Sequence, residues 1–228
     1  MTALPDAVLF DCDGTLADTE SISAACWQEA LAERGYRMTE ADARSVLGHP
    51  FVRSFAHYAD KVALGDPARF REELRACFGE RLTRELVLYD DALETLRSLR
   101  SKGVPVAVVS SSSRAHVRRI LEQGEITGQV GLIVGADDVE EHKPSPCPYR
   151  VAARQLGVDP GRCTVVEDTA TGIAAGVAAG CFVVGVQRPH NDLGTLRAAH
   201  RVVAAVTVSA VTPDAGERPA HHREHTGT

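Results

Sequence analysis

Asp11 and Asp13 flank Cys12 in the string VLFDCDGTLADTE, Val8 to Glu20, so two carboxylates stand two residues apart where a short apolar run stops. Like charges this close are costly unless a cation or a shared proton holds them together. A hard divalent metal is the simplest remedy. Mg2+ takes oxygen ligands and usually keeps substrate phosphate in its shell, so a carboxylate-lined metal site points to phosphoryl chemistry. The letters D-x-D-G also make an ordinary turn or helix entry, because Asp bonds neighbouring backbone amides and Gly14 permits positive φ.

Three other places offer groups that such chemistry needs. Ser110 and Ser111 follow the run VPVAVV; a hydroxyl and the amides after it can hold a phosphate oxygen, although a Ser-rich stretch before a helix also reads as a plain cap. Lys143, in EEHKP, is a compact cation suited to pair with both a carboxylate nucleophile and an incoming phosphate, against the alternative of a surface lysine. Glu167-Asp168 closes the run TVV; Asp168 either caps the following helix or supplies further oxygen ligands for a metal.

These residues need a scaffold that brings distant segments to one edge. Ala7 to Phe10 lacks polar alternation, as a strand buried on both faces does. After Tyr89 short apolar runs alternate with helical patterns, the signature of βαβ units and a parallel sheet: strands at 104–109, 132–134, 164–166 and 182–186, with a last edge strand at 202–208. Ligands bind such sheets at the carboxyl ends of the strands, where all these residues fall. Between Leu16 and Leu88 the pattern is helical, with Asp66-Pro67 as a cap and first-turn pair. The expected organisation is α/β: residues 1–16 and 89–211 as a Rossmann-like parallel-sheet core, 17–88 as an inserted all-helical domain, and 212–228 as a disordered tail whose histidines lack partners fixing their geometry.

With 228 residues, 44% of them hydrophobic, the chain can bury a core domain plus an accessory one. A net charge of -6 argues against a nucleic-acid partner, and Arg69, Arg71, Arg75, Arg81 and Arg84 alternate with glutamates as on a solvated helix face. Residues 1–6 have neither a basic nor an apolar leader pattern, and no run approaches the roughly 18 apolar residues a membrane helix needs. A cytoplasmic location is expected. The six cysteines form no C-x-x-C pair and are expected to be reduced thiols.

The opening string, D-x-D-G-T-L-x-D-T-E after an apolar strand, resembles the first motif of the haloacid dehalogenase superfamily of phosphohydrolases. Ser110, the K-P-x-P-x-x-Y run from Lys143, and V-V-E-D-T-x-x-G-I-x-A-x-x-A-A-G resemble that family's other motifs in the same order, and the resemblance spans Ala7 to about Arg188. The helical insertion is like that of the β-phosphoglucomutase and phosphoglycolate phosphatase branch.

This resemblance implies a Mg2+-dependent phosphatase acting on a small phosphorylated metabolite, with no membrane partner. It implies Asp11 as nucleophile and Asp13 as general acid and base, both catalytic with Lys143. The Asp11 carboxylate, the Asp13 main-chain carbonyl and Asp168 would hold the metal, with Glu167 joining directly or through water, while Ser110 and Lys143 grip phosphoryl oxygens. Thr19, near Glu20 and Ser23, and His49, on the connection Gly48-His49-Pro50 before Arg53, are candidates for substrate contact in the cap. The alternative is a phosphosugar isomerase of the β-phosphoglucomutase type. Against it, Ser23 stands where those enzymes have a His, and no Arg matches their second-phosphate ligand between Gly48 and Arg53. Tyr89-Asp90-Asp91 replaces the Pro-Gly that relatives commonly carry at the return to the core.

Overall fold

The computed structural model describes residues 3–46 and 51–217. In chain order its elements are β1 (Ala7–Phe10), α1 (Thr19–Glu33), α2 (Glu40–Val46), α3 (Phe51–Ala59), α4 (Pro67–Glu85), α5 (Asp90–Ser101), β2 (Val106–Val109), α6 (Arg114–Gln123), β3 (Leu132–Val134), α7 (Cys147–Leu156), β4 (Cys163–Glu167), α8 (Ala170–Ala179), β5 (Phe182–Val186), α9 (Leu193–Leu196) and β6 (Arg201–Val203). They form two compact units, one of residues 1–16 with 89–228 and the other of residues 17–88.

The first unit is built on one six-stranded sheet in the order β3-β2-β1-β4-β5-β6, and every pairing is parallel. β1 is central: Leu9 lies opposite Ala107 on one side and Val165 on the other. Each of its four residues is buried, as a strand covered on both faces requires. Strands to the left of β1 precede those to its right in the chain, so the direction of crossover reverses beside β1. In open α/β sheets such a reversal marks where ligands bind, here at the carboxyl ends of β1 and β4.

Helices end where their sequences stop supporting them. α7 and α8 close on Gly157 and Gly180 in the left-handed region, and α6 and α8 open on Ser113 and Thr169, whose side chains accept backbone N–H groups of His116 and Gly172. The second unit packs α1 against α4 around Trp27, Leu31, Tyr58, Phe70 and Leu74. Asp66 caps α4 ahead of Pro67, and Arg34 and Glu73 join α1 to α4 through a two-pronged ion pair with contacts of 2.8 and 2.7 Å.

Several expectations are corrected. The expected edge strand over 202–208 is only Arg201–Val203; the chain then turns so that Val206 is buried, its N–H donating to Asp91 and its carbonyl accepting from Thr95 Oγ1. Up to residue 217 the chain beyond β6 is met by Arg201, which donates to the carbonyls of Ser209, Ala210 and Thr212 and to the carboxylates of Asp214 and Glu217. Cys26 and Cys77 form a disulfide, with Cα atoms 5.8 Å apart, where free thiols were expected. Their separation of 51 residues hides a contact made only when α1 meets α4. In place of Pro-Gly, Arg188 stacks over the Tyr89 ring at 3.8 Å and binds Asp91 and the Thr15 carbonyl, each at 3.0 Å. Among the described residues no helix is long and apolar enough to cross a membrane.

The segment beyond β6 is stitched to the sheet by Thr164, whose buried hydroxyl donates to the Val211 carbonyl at 2.8 Å. Thr164→Val leaves that carbonyl without its partner, so urea denaturation should show a loss of about 1–3 kcal/mol. Catalytic constants of the folded variant should stay at the wild-type level.

Candidate active site

Parallel pairing sets the positions of the acidic residues. The Asp11 N–H extends the β1–β4 ladder by donating to the Val166 carbonyl at 2.9 Å, so the first carboxylate lies beside the end of β4, where Glu167 and Asp168 follow. One oxygen from each of Asp11, Glu167 and Asp168 lies within 4.8 Å of the others. All three are buried, at 6%, 0% and 1% exposure, so water screens their repulsion little.

Lys143 is the cation set among them. Its Nζ donates to Asp11 Oδ1 at 2.6 Å, Glu167 Oε1 at 2.7 Å and the Val109 carbonyl at 2.9 Å, using all three ammonium protons. Burial pulls the Lys143 pKa down, but Asp11 and Glu167 outweigh it and hold the ammonium well above the ordinary lysine value. Asp11 is displaced upward, first by burial and then by Glu167, Asp168 and Asp13, with Lys143 opposing.

Glu167 is fixed from every side. Its Oε1 also accepts from Tyr149 Oη at 2.9 Å, and its Oε2 takes the Asp168 and Thr169 amides at 3.1 Å and Thr169 Oγ1 at 2.9 Å. Gly172 in α8 makes room for it, since a Cβ there would stand 1.6 Å from Glu167 Oε1. With five donors on its carboxylate, Glu167 orients Lys143 and Asp168. Asp168 is held in turn by Thr15 Oγ1 at 2.7 Å and His190 Nε2 at 2.6 Å, and Gly14, at φ +82°, turns the chain between the two aspartates that follow β1 and Thr15. Burial raises the Asp168 pKa against the pull of His190.

Asp13 lies in a different setting, half-buried among donors from the loop after β2. Ser110 Oγ and Ser112 Oγ donate to its Oδ2 at 3.1 and 2.8 Å, and His116 Nε2 meets its Oδ1 at 3.1 Å. Burial lowers the His116 pKa, but the hydrogen bond and charge of Asp13 overcome this and leave it above the ordinary histidine value.

The structure therefore brings Asp11, Lys143, Glu167 and Asp168 together, with Asp13 and Ser110 joined beside them. Ser111 is exposed on the same loop, and it is Ser112 whose hydroxyl reaches Asp13. Thr19 opens α1 in the helical unit and is buried there. His49 lies outside the described residues. Sequence reasoning missed Thr15, Ser112, His116, Tyr149 and His190 as site residues. Thr15 and Tyr149 lie inside the motifs already quoted, whereas His190 falls beyond the resembling segment and His116 has no local mark.

The donor set fits a divalent metal. Three buried carboxylates offer hard oxygens, Lys143 and His190 leave the cluster short of positive charge, and a metal would relieve the repulsion that raises Asp11 and Asp168.

Comparison with known proteins agrees with this geometry. The family profile described as haloacid dehalogenase-like hydrolase matches residues 8–186. The bifunctional riboflavin kinase/FMN phosphatase of Arabidopsis thaliana is 32% identical over 187 residues, 80% of this chain, which spans 48% of that protein's length. Hexitol phosphatase A of Escherichia coli is 32% identical over 186 residues, covering 79% of this chain and 82% of its own. Among solved structures, a HAD family hydrolase from Deinococcus radiodurans R1 with bound phosphate and sodium superposes with a TM-score of 0.77 at 35% identity, over 93% of this chain and 100% of the other.

The raised carboxyls fix the sign of the pH response. In the metal-free protein they keep protons that the unfolded chain releases, so their contribution to stability declines as pH rises from the ordinary carboxylate range through their folded values. A metal must displace those protons. The thermal stabilisation given by millimolar Mg2+ should therefore grow with pH, and Asp168→Asn should remove most of it; a hundredfold excess over Kd corresponds to about 2.7 kcal/mol.

Proposed function

The chain belongs to the haloacid dehalogenase-like hydrolase family, and on that footing we propose that it is a phosphatase hydrolysing a small phosphate monoester of the sugar- or polyol-phosphate class. Mg2+ is the proposed metal and an aspartyl-phosphate the proposed intermediate. The observation that carries this reading is Asp11, a buried carboxylate at the sheet's carboxyl edge with Lys143 Nζ at 2.6 Å and two further carboxylates around it. The phosphatases among its relatives, one of them a hexitol phosphatase, support the substrate class.

In the proposed reaction the Asp11 carboxylate attacks phosphorus as the bond to the ester oxygen breaks, and protonated Asp13 gives its proton to that leaving oxygen. Asp13, now ionised, takes a proton from water as that water's oxygen attacks the same phosphorus. The acyl-phosphate bond breaks, inorganic phosphate leaves, and both aspartates return to their starting forms. Lys143 keeps its charge throughout and balances the negative charge passing to the phosphoryl oxygens. Ser110 must exchange partners, from Asp13 Oδ2 to a phosphoryl oxygen, as substrate enters.

Asp11, Asp168 and the Asp13 main-chain carbonyl would hold the metal, which when bound supplies charge neutralisation between the nucleophile and the phosphate dianion. We assign substrate selection to the segment 17–88, with Thr19 and His49 as its candidate residues, because the groups described above leave the organic part of the ester unread.

Phosphate release measured on a panel of sugar and polyol phosphates tests the reading, and steady release without a bisphosphate primer is the expected result. Asp11→Asn should retain the fold and less than about one part in a hundred of the activity, since an amide of the same shape cannot form the acyl-phosphate. Asp13→Asn should lose about 10²- to 10⁴-fold in rate. A fully active Asp11→Asn protein would end the nucleophile assignment.

A further inference from the structure

His116 is used by none of the steps above, yet its imidazole reaches the carboxylate assigned to proton transfer. It lies in the first turn of α6, where its backbone N–H is held by the capping hydroxyl of Ser113 at 3.3 Å, and its side chain is three-quarters buried. The three donors on Asp13 are divided unequally. Both serines bind Oδ2, and only His116 among these three binds Oδ1.

That division has a geometric consequence. Donors on a single carboxylate oxygen leave rotation about the terminal bond loosely restrained, because such sp³–sp² torsions have broad wells. A donor on the other oxygen fixes the plane. Ser110 is also the donor proposed to pass to the phosphate, so with substrate bound Ser112 stays on one oxygen of Asp13 and His116 on the other.

We propose that His116 is a positioning residue for Asp13, setting the plane of its carboxyl group so that the proton is aimed at the leaving oxygen of the ester. The inference rests on the phosphatase reading and on the acid role given there to Asp13. Loss of the His116 hydrogen bond loosens the plane of the carboxyl group, and a misplacement of about 1 Å at a reacting group can cost about 10²-fold in rate.

The test uses the leaving group. An alkyl ester needs its departing oxygen protonated, whereas p-nitrophenyl phosphate releases a stable phenolate that does not. The value of kcat/KM reports formation of the phosphoenzyme for both esters, so a defect in proton delivery appears as a split between them. For His116→Ala, kcat/KM on the alkyl phosphate that the wild type turns over fastest should fall about 10- to 100-fold, while that on p-nitrophenyl phosphate changes by less than about threefold. Asp13→Asn should show the same split, more deeply, and His116→Gln, which keeps a donor at similar reach, should restore most of the alkyl-ester rate. Should the alanine variant fail to fold, His116→Leu carries the same expectation.

Equal losses on both esters for the His116 variants, with the split intact in Asp13→Asn, would overturn the proposal and leave the phosphatase reading standing. Absence of the split in Asp13→Asn itself would remove the acid role of Asp13, and the proposal with it.

Discussion

One ammonium group set among three carboxylates is the constraint that organises this molecule. Lys143 cannot neutralise Asp11, Glu167 and Asp168 together, and all three are shut away from water. Glu167 is the member whose charge the protein satisfies completely, through Lys143, Tyr149, two amides and a threonine hydroxyl. The charge left over rests on Asp11 and Asp168. The protein has thus stored an unmet electrostatic demand at a single place, and a cation or a proton can answer it. A binding site made this way needs no large pocket, only a scaffold rigid enough to stop the carboxylates from separating.

The sheet provides that rigidity. β1 is hydrogen-bonded on both sides to β2 and β4, so Asp11 can move only if three strands move. Close packing under the site has the same effect: the notch at Gly172 accepts the Glu167 carboxylate so tightly that no side chain fits in its place. The serines and His116 come instead from a loop and a helix start, and they reach Asp13 through side-chain hydrogen bonds, to which the charge of Asp13 adds at His116. The rigid half carries the groups that must not shift, and the adaptable half carries the group that must change protonation state twice in each proposed cycle.

Much of this was legible because each active segment follows an apolar run that stops abruptly. Asp11, Ser110 and Asp168 announce themselves as polar residues immediately after strands β1, β2 and β4, and a parallel sheet brings such positions to one edge. Lys143 was legible through its motif and not through periodicity, as it follows no strand directly. What stayed hidden depends on partners far away in the chain. Nothing around His116 or His190 tells that each lies against an aspartate, 103 and 22 residues away respectively. The Cys26–Cys77 pair and the turn that cuts β6 short are likewise products of packing, since Val206 is drawn from an apparent strand by Asp91 and Thr95.

The separation in sequence of the groups around Asp11 governs how the site comes into being. Asp11 and its ammonium partner are 132 residues apart, and Thr15 and Asp168 are 153 apart. On the ribosome, which adds about 5–20 residues each second, Asp11 waits about 7–26 s before Lys143 has even been made. Of the two neighbours of β1, β2 is complete at Val109 and β4 begins only at Cys163, whereas the core of the helical segment, from Cys26 to Leu74, is already in the chain. The order of synthesis thus makes the helical unit the first part of the chain whose contacts can close, and the edge that carries Asp11, Lys143 and Asp168 the last.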